Sequence, residues 1–97
     1  MKRDEVLKRI SENQDALDAF PIKRLAIFGS VARNAADEDS DIDILIEFEP
    51  EARVGLFLFL EIKEVLEKIL NCRVDLVTRD ALKPQLRQSI LSKAIYA

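Results

Sequence analysis

The sequence predicts a small α/β (α+β) domain in which a mixed β-sheet of three or more strands is flanked by helices. Two segments carry apolar residues at helical spacing, and short β-branched runs lie between and after them. The second of these runs follows the first after too few residues for a usual parallel crossover, which favours a mixed sheet. The 97 residues are expected to form one domain with the order α-β-α-β-α-β-α.

The first half of the chain is predicted to alternate between helix and strand. Residues 3–19 are expected to be helical because apolar side chains recur near every third or fourth position, and Pro21 breaks that pattern. Residues 24–28 form a short apolar run that is typical of a buried strand. A short helix over residues 30–36 and a loop over residues 37–40 complete this half.

The second half contains two further strands and two further helices. Residues 41–48 alternate between polar and apolar side chains, which predicts a half-buried strand. Residues 55–70 carry an apolar helical stripe, and residues 73–78 are rich in β-branched side chains. Pro84 suits the first turn of a last helix that is expected to run to about Ile95.

Composition excludes several kinds of site within this chain. Histidine is absent, so imidazole bases, His-dependent triads and His zinc sites are excluded. Cys72 is the one cysteine, which excludes an internal disulfide framework. No apolar run is long enough to span a bilayer, and the N-terminal residues lack the apolar region of a signal peptide. The expected location is the cytoplasm.

Acidic residues are concentrated in one part of the chain. The formal net charge is −3, and the segment from Asp37 to Glu51 holds eight acidic residues and no basic one. The remainder holds 10 acidic and 15 basic residues. This distribution fits a cation site beside surfaces that attract anions, and it equally fits a solvated acidic loop.

Gly29 and Ser30 stand where a predicted strand passes into a predicted helix. A glycine at this point allows close approach of the backbone to a ligand, and free N–H groups at a helix start attract phosphate. The alternative is that Ser30 is an ordinary N-cap residue.

Three aspartates form the second candidate feature. Asp41 and Asp43 lie two positions apart on a strand, so their Cα atoms are roughly 7 Å apart and their side chains share a face. Carboxylates placed this way can bind Mg²⁺ together with substrate phosphates, although two exposed acids at a strand start are the simpler alternative. Asp75 interrupts a β-branched strand and would join this pair if the two strands are neighbours; otherwise it is an edge-strand acid that faces water.

The segment GSVARNAADEDSDIDILIEF resembles the signature of the DNA polymerase β-like nucleotidyltransferase superfamily, in which a GS pair is followed by DxD. The resemblance is strongest to its minimal nucleotidyltransferase (MNT) branch, and it is closest from Leu25 to Phe48. With the third acid in RVDLVT it extends over nearly the full chain. It implies the polymerase β-like fold and transfer of a nucleoside monophosphate from an NTP.

The resemblance also assigns roles to residues of this sequence. It implies that Gly29 and Ser30 bind the triphosphate of ATP and that three aspartates bind two Mg²⁺ ions and act in catalysis; these are Asp41, Asp43 and Asp75. The role of Arg33 is our own hypothesis from its position one turn into the predicted short helix: it would neutralise charge on the leaving pyrophosphate, or it would be a surface residue that pairs with the acidic loop 37–39.

Members of the MNT branch are typically antitoxins paired with a HEPN-domain ribonuclease toxin, and some transfer AMP to a tyrosine of that partner. The resemblance therefore implies a protein adenylyltransferase, with a non-catalytic antitoxin that acts by binding alone as the alternative. Two candidate contact surfaces are the apolar stretch 56–60 and the basic C-terminal region with Arg79, Lys83, Arg87 and Lys93; core packing and a solvated helix face are their alternatives. No strongly basic stripe points to nucleic acid as a direct ligand, and a homo-oligomer is left open.

Overall fold

The computed structural model describes residues 2–32 and 41–97, apart from the side chains of residues 30 and 31. The described elements follow in this order: α1 (Arg3–Glu12), α2 (Gln14–Leu17), β1 (Ile22–Phe28), α3 (Gly29–Ala32), β2 (Ile42–Phe48), α4 (Leu56–Leu70), β3 (Val74–Thr78), a 3₁₀ turn (Arg79–Ala81), α5 (Pro84–Lys93) and β4 (Ile95–Tyr96).

The strands form one mixed sheet in the order β3-β2-β1-β4. β1 pairs with both β2 and β4 in antiparallel fashion, while β2 and β3 are parallel. The short segment between β1 and β2 fits antiparallel pairing, whereas the long α4 provides the crossover that a parallel pair needs. The predicted mixed sheet with flanking helices is therefore confirmed.

The core lies between one face of the sheet and helices α1, α2 and α4. Ile42, Ile44 and Ile46 alternate along β2 and are at most 2% exposed. Ile62 and Leu66, one turn apart on α4, are fully buried in the same cluster. Apolar burial of this kind is the main favourable term in folding, and it fixes which face of the sheet remains available for other functions.

Hydrogen bonds at the end of α4 align the starts of β2 and β3. Asn71 ends the helix in the left-handed conformation, with φ at 53°. The carboxylate of Glu67 then accepts a hydrogen bond of 3.0 Å from the backbone N–H of Val74. The N–H of Ile42 donates to the carbonyl oxygen of Arg73 at 3.0 Å, so the two strands begin level with each other.

Several predicted boundaries were wrong. The helix expected over residues 3–19 is interrupted at Asn13, whose side-chain amide donates to the carbonyl oxygen of Arg9 at 2.8 Å and so competes with the helical backbone. The last helix ends at Lys93 rather than near Ile95, because the chain turns there into the two-residue strand β4.

The first strand begins two residues earlier than predicted, at Ile22. The predicted short helix is described only as far as Ala32, and the predicted loop at residues 37–40 lies outside the described residues. Within the described ranges, no helix is both long and apolar enough to cross a membrane.

Candidate active site

Asp43 and Asp75 lie directly opposite each other on the parallel strands β2 and β3. Neighbouring strands are about 4.8 Å apart, and side chains at paired positions extend from the same face of the sheet. Asp43 is half-buried, and Asp75 is exposed on the edge strand. Asp75 is therefore an acid on the edge strand that faces solvent, and it is also the neighbour of Asp43. The sequence presents these two positions as alternatives.

Asp41 directly precedes β2, two positions before Asp43, and it is exposed. Over residues 2–32 and 41–97, no group of three or more His, Cys, Asp or Glu side chains is arranged to hold a metal ion. The described acids are therefore a pair of strand neighbours with a third acid beside them. Such a donor set fits Mg²⁺, which commonly takes one or two carboxylates together with substrate phosphates.

Gly29 is packed against Asp43. Its φ of 70° lies in the left-handed region, which glycine adopts without the steric penalty of a side chain. A Cβ atom placed on Gly29 would overlap Oδ2 of Asp43 and come within 3.1 Å of its Cγ. The sharp turn from β1 into α3 therefore brings the glycine backbone into contact with the acid of β2, which only a residue without a side chain permits.

A cavity of about 280 Å³ adjoins Gly29. It lies between the β1–α3 turn and one side of α5, and it is lined by Phe28, Gly29, Ala32, Ser89, Ile90 and Lys93. Phe28 is also the strand partner of Asp43. Sequence reasoning missed Phe28, Ser89 and Ile90, because nothing in the local pattern of α5 indicates that it approaches the β1–α3 turn.

The other two predicted site residues are described in part or not at all. Ser30 belongs to the first turn of α3, which packs on β1 and β2, and nothing is described of its side chain. Arg33 lies outside the described residues. The structure thus brings Gly29, Asp43 and Asp75 together at one end of the sheet, with Asp41 alongside.

The family model described as a nucleotidyltransferase domain matches residues 3–97. The chain belongs to the nucleotidyltransferase domain family. The chain is similar to the protein adenylyltransferase MntA of Thermococcus cleftensis, to which it is 36% identical over 89% of this chain and 85% of that protein. A candidate protein adenylyltransferase of Methanocaldococcus jannaschii is 37% identical over 93% of this chain and 99% of its own. The prediction of a nucleotidyltransferase is confirmed.

Solved structures confirm the fold of this nucleotidyltransferase. A candidate minimal nucleotidyltransferase superposes with a TM-score of 0.82 at 36% identity, covering 98% of this chain and 95% of its own. A toxin–antitoxin complex with AMP-PNP gives 0.67 at 20% identity over 99% and 72% of the two chains. A tri-AMPylated Shewanella oneidensis HEPN toxin in complex with MNT antitoxin gives 0.57 at 19% identity over 97% and 66%.

Proposed function

We propose that this nucleotidyltransferase transfers AMP from ATP to a hydroxyl group of a partner protein, with residues 1–97 acting as one catalytic domain. The observation that carries the proposal is the contact of Gly29 with Asp43, whose strand partner is Asp75. A glycine backbone beside paired carboxylates allows a triphosphate to lie close to the acids that would hold the Mg²⁺ needed to balance its charge. The curated relatives named protein adenylyltransferase support the choice of reaction.

The cavity beside Gly29 is the proposed place of the nucleotide. Phe28 and Ile90 offer apolar surface to a base or ribose, and Lys93 offers a positive charge to phosphate. Gly29 and Ser30 bind the terminal phosphates through their backbone, and Arg33 neutralises the pyrophosphate. In this arrangement the α-phosphorus faces Asp43 and Asp75.

Asp43 and Asp75, with Asp41 beside them, would hold Mg²⁺ in this proposal together with the substrate phosphates, since the three acids are not arranged to enclose an ion by themselves. When bound, Mg²⁺ neutralises phosphate charge and lowers the pKa of the acceptor hydroxyl. The hydroxyl oxygen forms a bond to the α-phosphorus, the bond from that phosphorus to the bridging oxygen breaks, and pyrophosphate leaves with the electron pair. The hydroxyl proton passes to Asp75, which is exposed and so can be reached by an acceptor from solvent.

The proposed partner is a HEPN-domain toxin, and the proposed acceptor is one of its tyrosines, so that transfer makes this chain an antitoxin. An apolar surface formed by Leu56, Phe57 and Leu60 supports a protein partner, because these side chains are 69%, 90% and 44% exposed. Leu56 lies near Phe48 and Thr78, at the opposite end of the strands from Asp43. A partner docked there leaves the acids open to a hydroxyl.

Incubation with α-labelled ATP, Mg²⁺ and the protein encoded by the neighbouring gene tests the reaction. We expect label on the partner and a loss of about 100-fold or more with Asp43→Asn, since a carboxylate that would hold the charge-neutralising Mg²⁺ is removed. Asp15→Asn is the matched control, because Asp15 is an exposed aspartate on α2 that lies neither with the paired acids nor in the cavity beside Leu56, and it should retain full labelling.

Two results would contradict parts of the proposal. Labelling that persists when Asp41→Asn and Asp43→Asn are combined would refute the role of these acids. Full neutralisation of the toxin by the same double variant, without any label on the partner, would instead show an antitoxin that acts by binding alone.

A further inference from the structure

A β-bulge directs two basic side chains toward one carboxylate on the far end of the sheet. Ile22 pairs with Phe48 and Arg24 with Glu47, so Lys23 is an extra residue on β1. Both cations then reach Glu47, with Lys23 Nζ at 3.8 Å from Oε1 and Arg24 Nε at 3.1 Å from Oε2. Without the bulge, consecutive strand residues would extend from opposite faces.

Arg79 is the third cation at Glu47, with Nη1 at 3.7 Å from Oε1. Glu47 is 23% exposed, whereas the side chains of Lys23, Arg24 and Arg79 are 39%, 46% and 48% exposed. One carboxylate neutralises one of three positive charges, and two guanidinium groups carry more N–H donors than its two oxygens accept. The cluster therefore keeps excess positive charge and donors that are open to solvent.

Arg79 also lines a groove of about 480 Å³ that runs along α5 and includes Arg87. The Nη2 of Arg87 donates to the carbonyl oxygen of Leu82 at 3.2 Å. Its Nε is shielded from solvent and has no hydrogen-bond partner among the described residues. This shielded atom has no surface that a ligand could reach, so the donors for an anion in the groove are the other guanidinium N–H groups of Arg79 and Arg87, which both line it.

The groove is separate from the cavity proposed for the reacting nucleotide. Glu47 is four residues along β2 from Asp43 and on the same face, at a distance of about 13 Å. The two cavities also use opposite sides of α5, since Arg87 and Leu91 line one and Ile90 and Lys93 line the other. The phosphates that react beside Asp43 therefore do not occupy the groove.

We propose that Arg79 and Arg87, with Lys23 and Arg24 beside them, bind a phosphate group of a second ligand. The planar guanidinium groups of arginine match the geometry of a phosphate group. Glu47 already neutralises part of the positive charge of the cluster, and the remaining positive charge is available to the phosphate. The phosphate belongs either to a free nucleotide or to a phosphodiester carried by the acceptor. This binding does not depend on the transfer reaction.

Titration of the ¹⁵N-labelled full chain with inorganic phosphate, without ATP, Mg²⁺ or a partner, tests the site. We expect the guanidinium resonances of Arg79 and Arg87 to shift in a saturable manner, because phosphate oxygens accept hydrogen bonds from these groups. Sodium chloride of equal ionic strength is the control. Shifts no larger than those with chloride would overturn the proposal.

Three variants test the site, because phosphate binding predicts a different direction of change in affinity for each of them. Arg79→Gln removes a cation and should weaken binding roughly tenfold or more. Glu47→Gln removes the competing carboxylate and should strengthen it severalfold. Arg53→Gln changes an exposed arginine outside the groove and should leave the affinity within about twofold. Equal affinities for all three variants, or weaker binding by Glu47→Gln, would refute the site.

Two further probes distinguish the sources of the phosphate. AMP represents a free nucleotide, and the amide of adenylyl-tyrosine represents a phosphodiester on an acceptor. The tighter ligand of the two identifies the source, provided that its affinity falls at least about tenfold in Arg79→Gln. If Arg79→Gln changes the affinity for neither ligand, the groove is not a phosphate site. This conclusion holds whatever the transfer activity of Asp43→Asn.

Discussion

The two faces of β2 are built from alternate residues of one seven-residue strand, yet they serve different purposes. Ile42, Ile44 and Ile46 point into the core and are almost completely buried. Asp43 and Glu47, on the other face, keep part of their surface in solvent. Because strand side chains alternate, a single strand holds the fold together on one side and presents charged groups on the other. Stability and chemistry should therefore respond to different substitutions.

Ile44→Ala should have the largest effect on the free energy of unfolding. Ile44 is fully buried, and truncation of such a side chain costs about 2–5 kcal/mol. Small domains are stable by about 5–15 kcal/mol in total, so this variant should unfold at a clearly lower urea concentration. Circular dichroism during urea titration measures the change.

Asp43→Asn is the matched substitution on the other face. It should change the free energy of unfolding by less than about 1 kcal/mol, because the side chain is only half-buried and keeps its shape. If Asp43→Asn destabilised the protein as much as Ile44→Ala does, the charged face of β2 would contribute to stability as much as the apolar face, which would refute the comparison.

Gly29→Ala should combine both kinds of effect, because Gly29 connects the strand framework to the acids. The positive φ and the overlap of a Cβ with Asp43 predict a loss of about 1–3 kcal/mol in stability, together with lower transfer activity. Thermal unfolding and the labelling assay measure the two losses.

Gly55→Ala is the matched control for this prediction. Its φ is −90°, and no atom lies within 4 Å of an added Cβ among the described neighbours. It should leave stability close to that of the unmodified chain, and stability is the property compared, because Gly55 adjoins Leu56 of the proposed docking surface. Equal behaviour of the two alanine variants would show that the contact between Gly29 and Asp43 is unimportant.

The fold could be predicted where a regular pattern repeats over enough residues. The alternation in β2 and the helical stripe of α4 specified those elements to within one residue at each end. The proximity of Asp75 to Asp43 could be predicted as well, as the consequence of β3 lying beside β2. The strand β4 was missed because two residues are too few to show any period.

The basic cluster could not be predicted from local patterns. The bulge at Lys23 depends on how β1 pairs with β2, and Arg79 reaches Glu47 only after β3 has joined the sheet. In the sequence Lys23 and Arg24 are far from Arg79, so only the C-terminal part of the cluster, with Arg79 and Arg87, stood out as a basic region. Local patterns also left open which residues of the apolar stretch 56–60 are buried. In the structure Phe59 packs against the core, whereas Phe57 is exposed to solvent.

Glu47→Gln should have only a small effect on stability. Its three ion pairs link partly exposed side chains, and pairs of this kind contribute about 0–1 kcal/mol each because water and salt screen them. We expect a change below about 1 kcal/mol by urea unfolding, which shrinks further in 0.5 M salt. A loss similar to that of Ile44→Ala would mean that the charged face also holds the fold together.

Cys72 should show the smallest of these effects, a slower chemical modification of its thiol, because it packs against the core. Partial burial against the core raises the pKa of its thiol, and the charge of Arg9 only partly opposes this. Less thiolate is therefore present near pH 8, so iodoacetamide should modify the folded chain several times more slowly than the urea-unfolded chain.

Because the folded pKa is the higher one, the thiol's contribution to stability is complete below the ordinary thiol pKa and is lost as the pH rises through the folded value. Modification that is as fast in the folded chain as in the unfolded chain would place Cys72 with the reactive, solvent-facing groups instead.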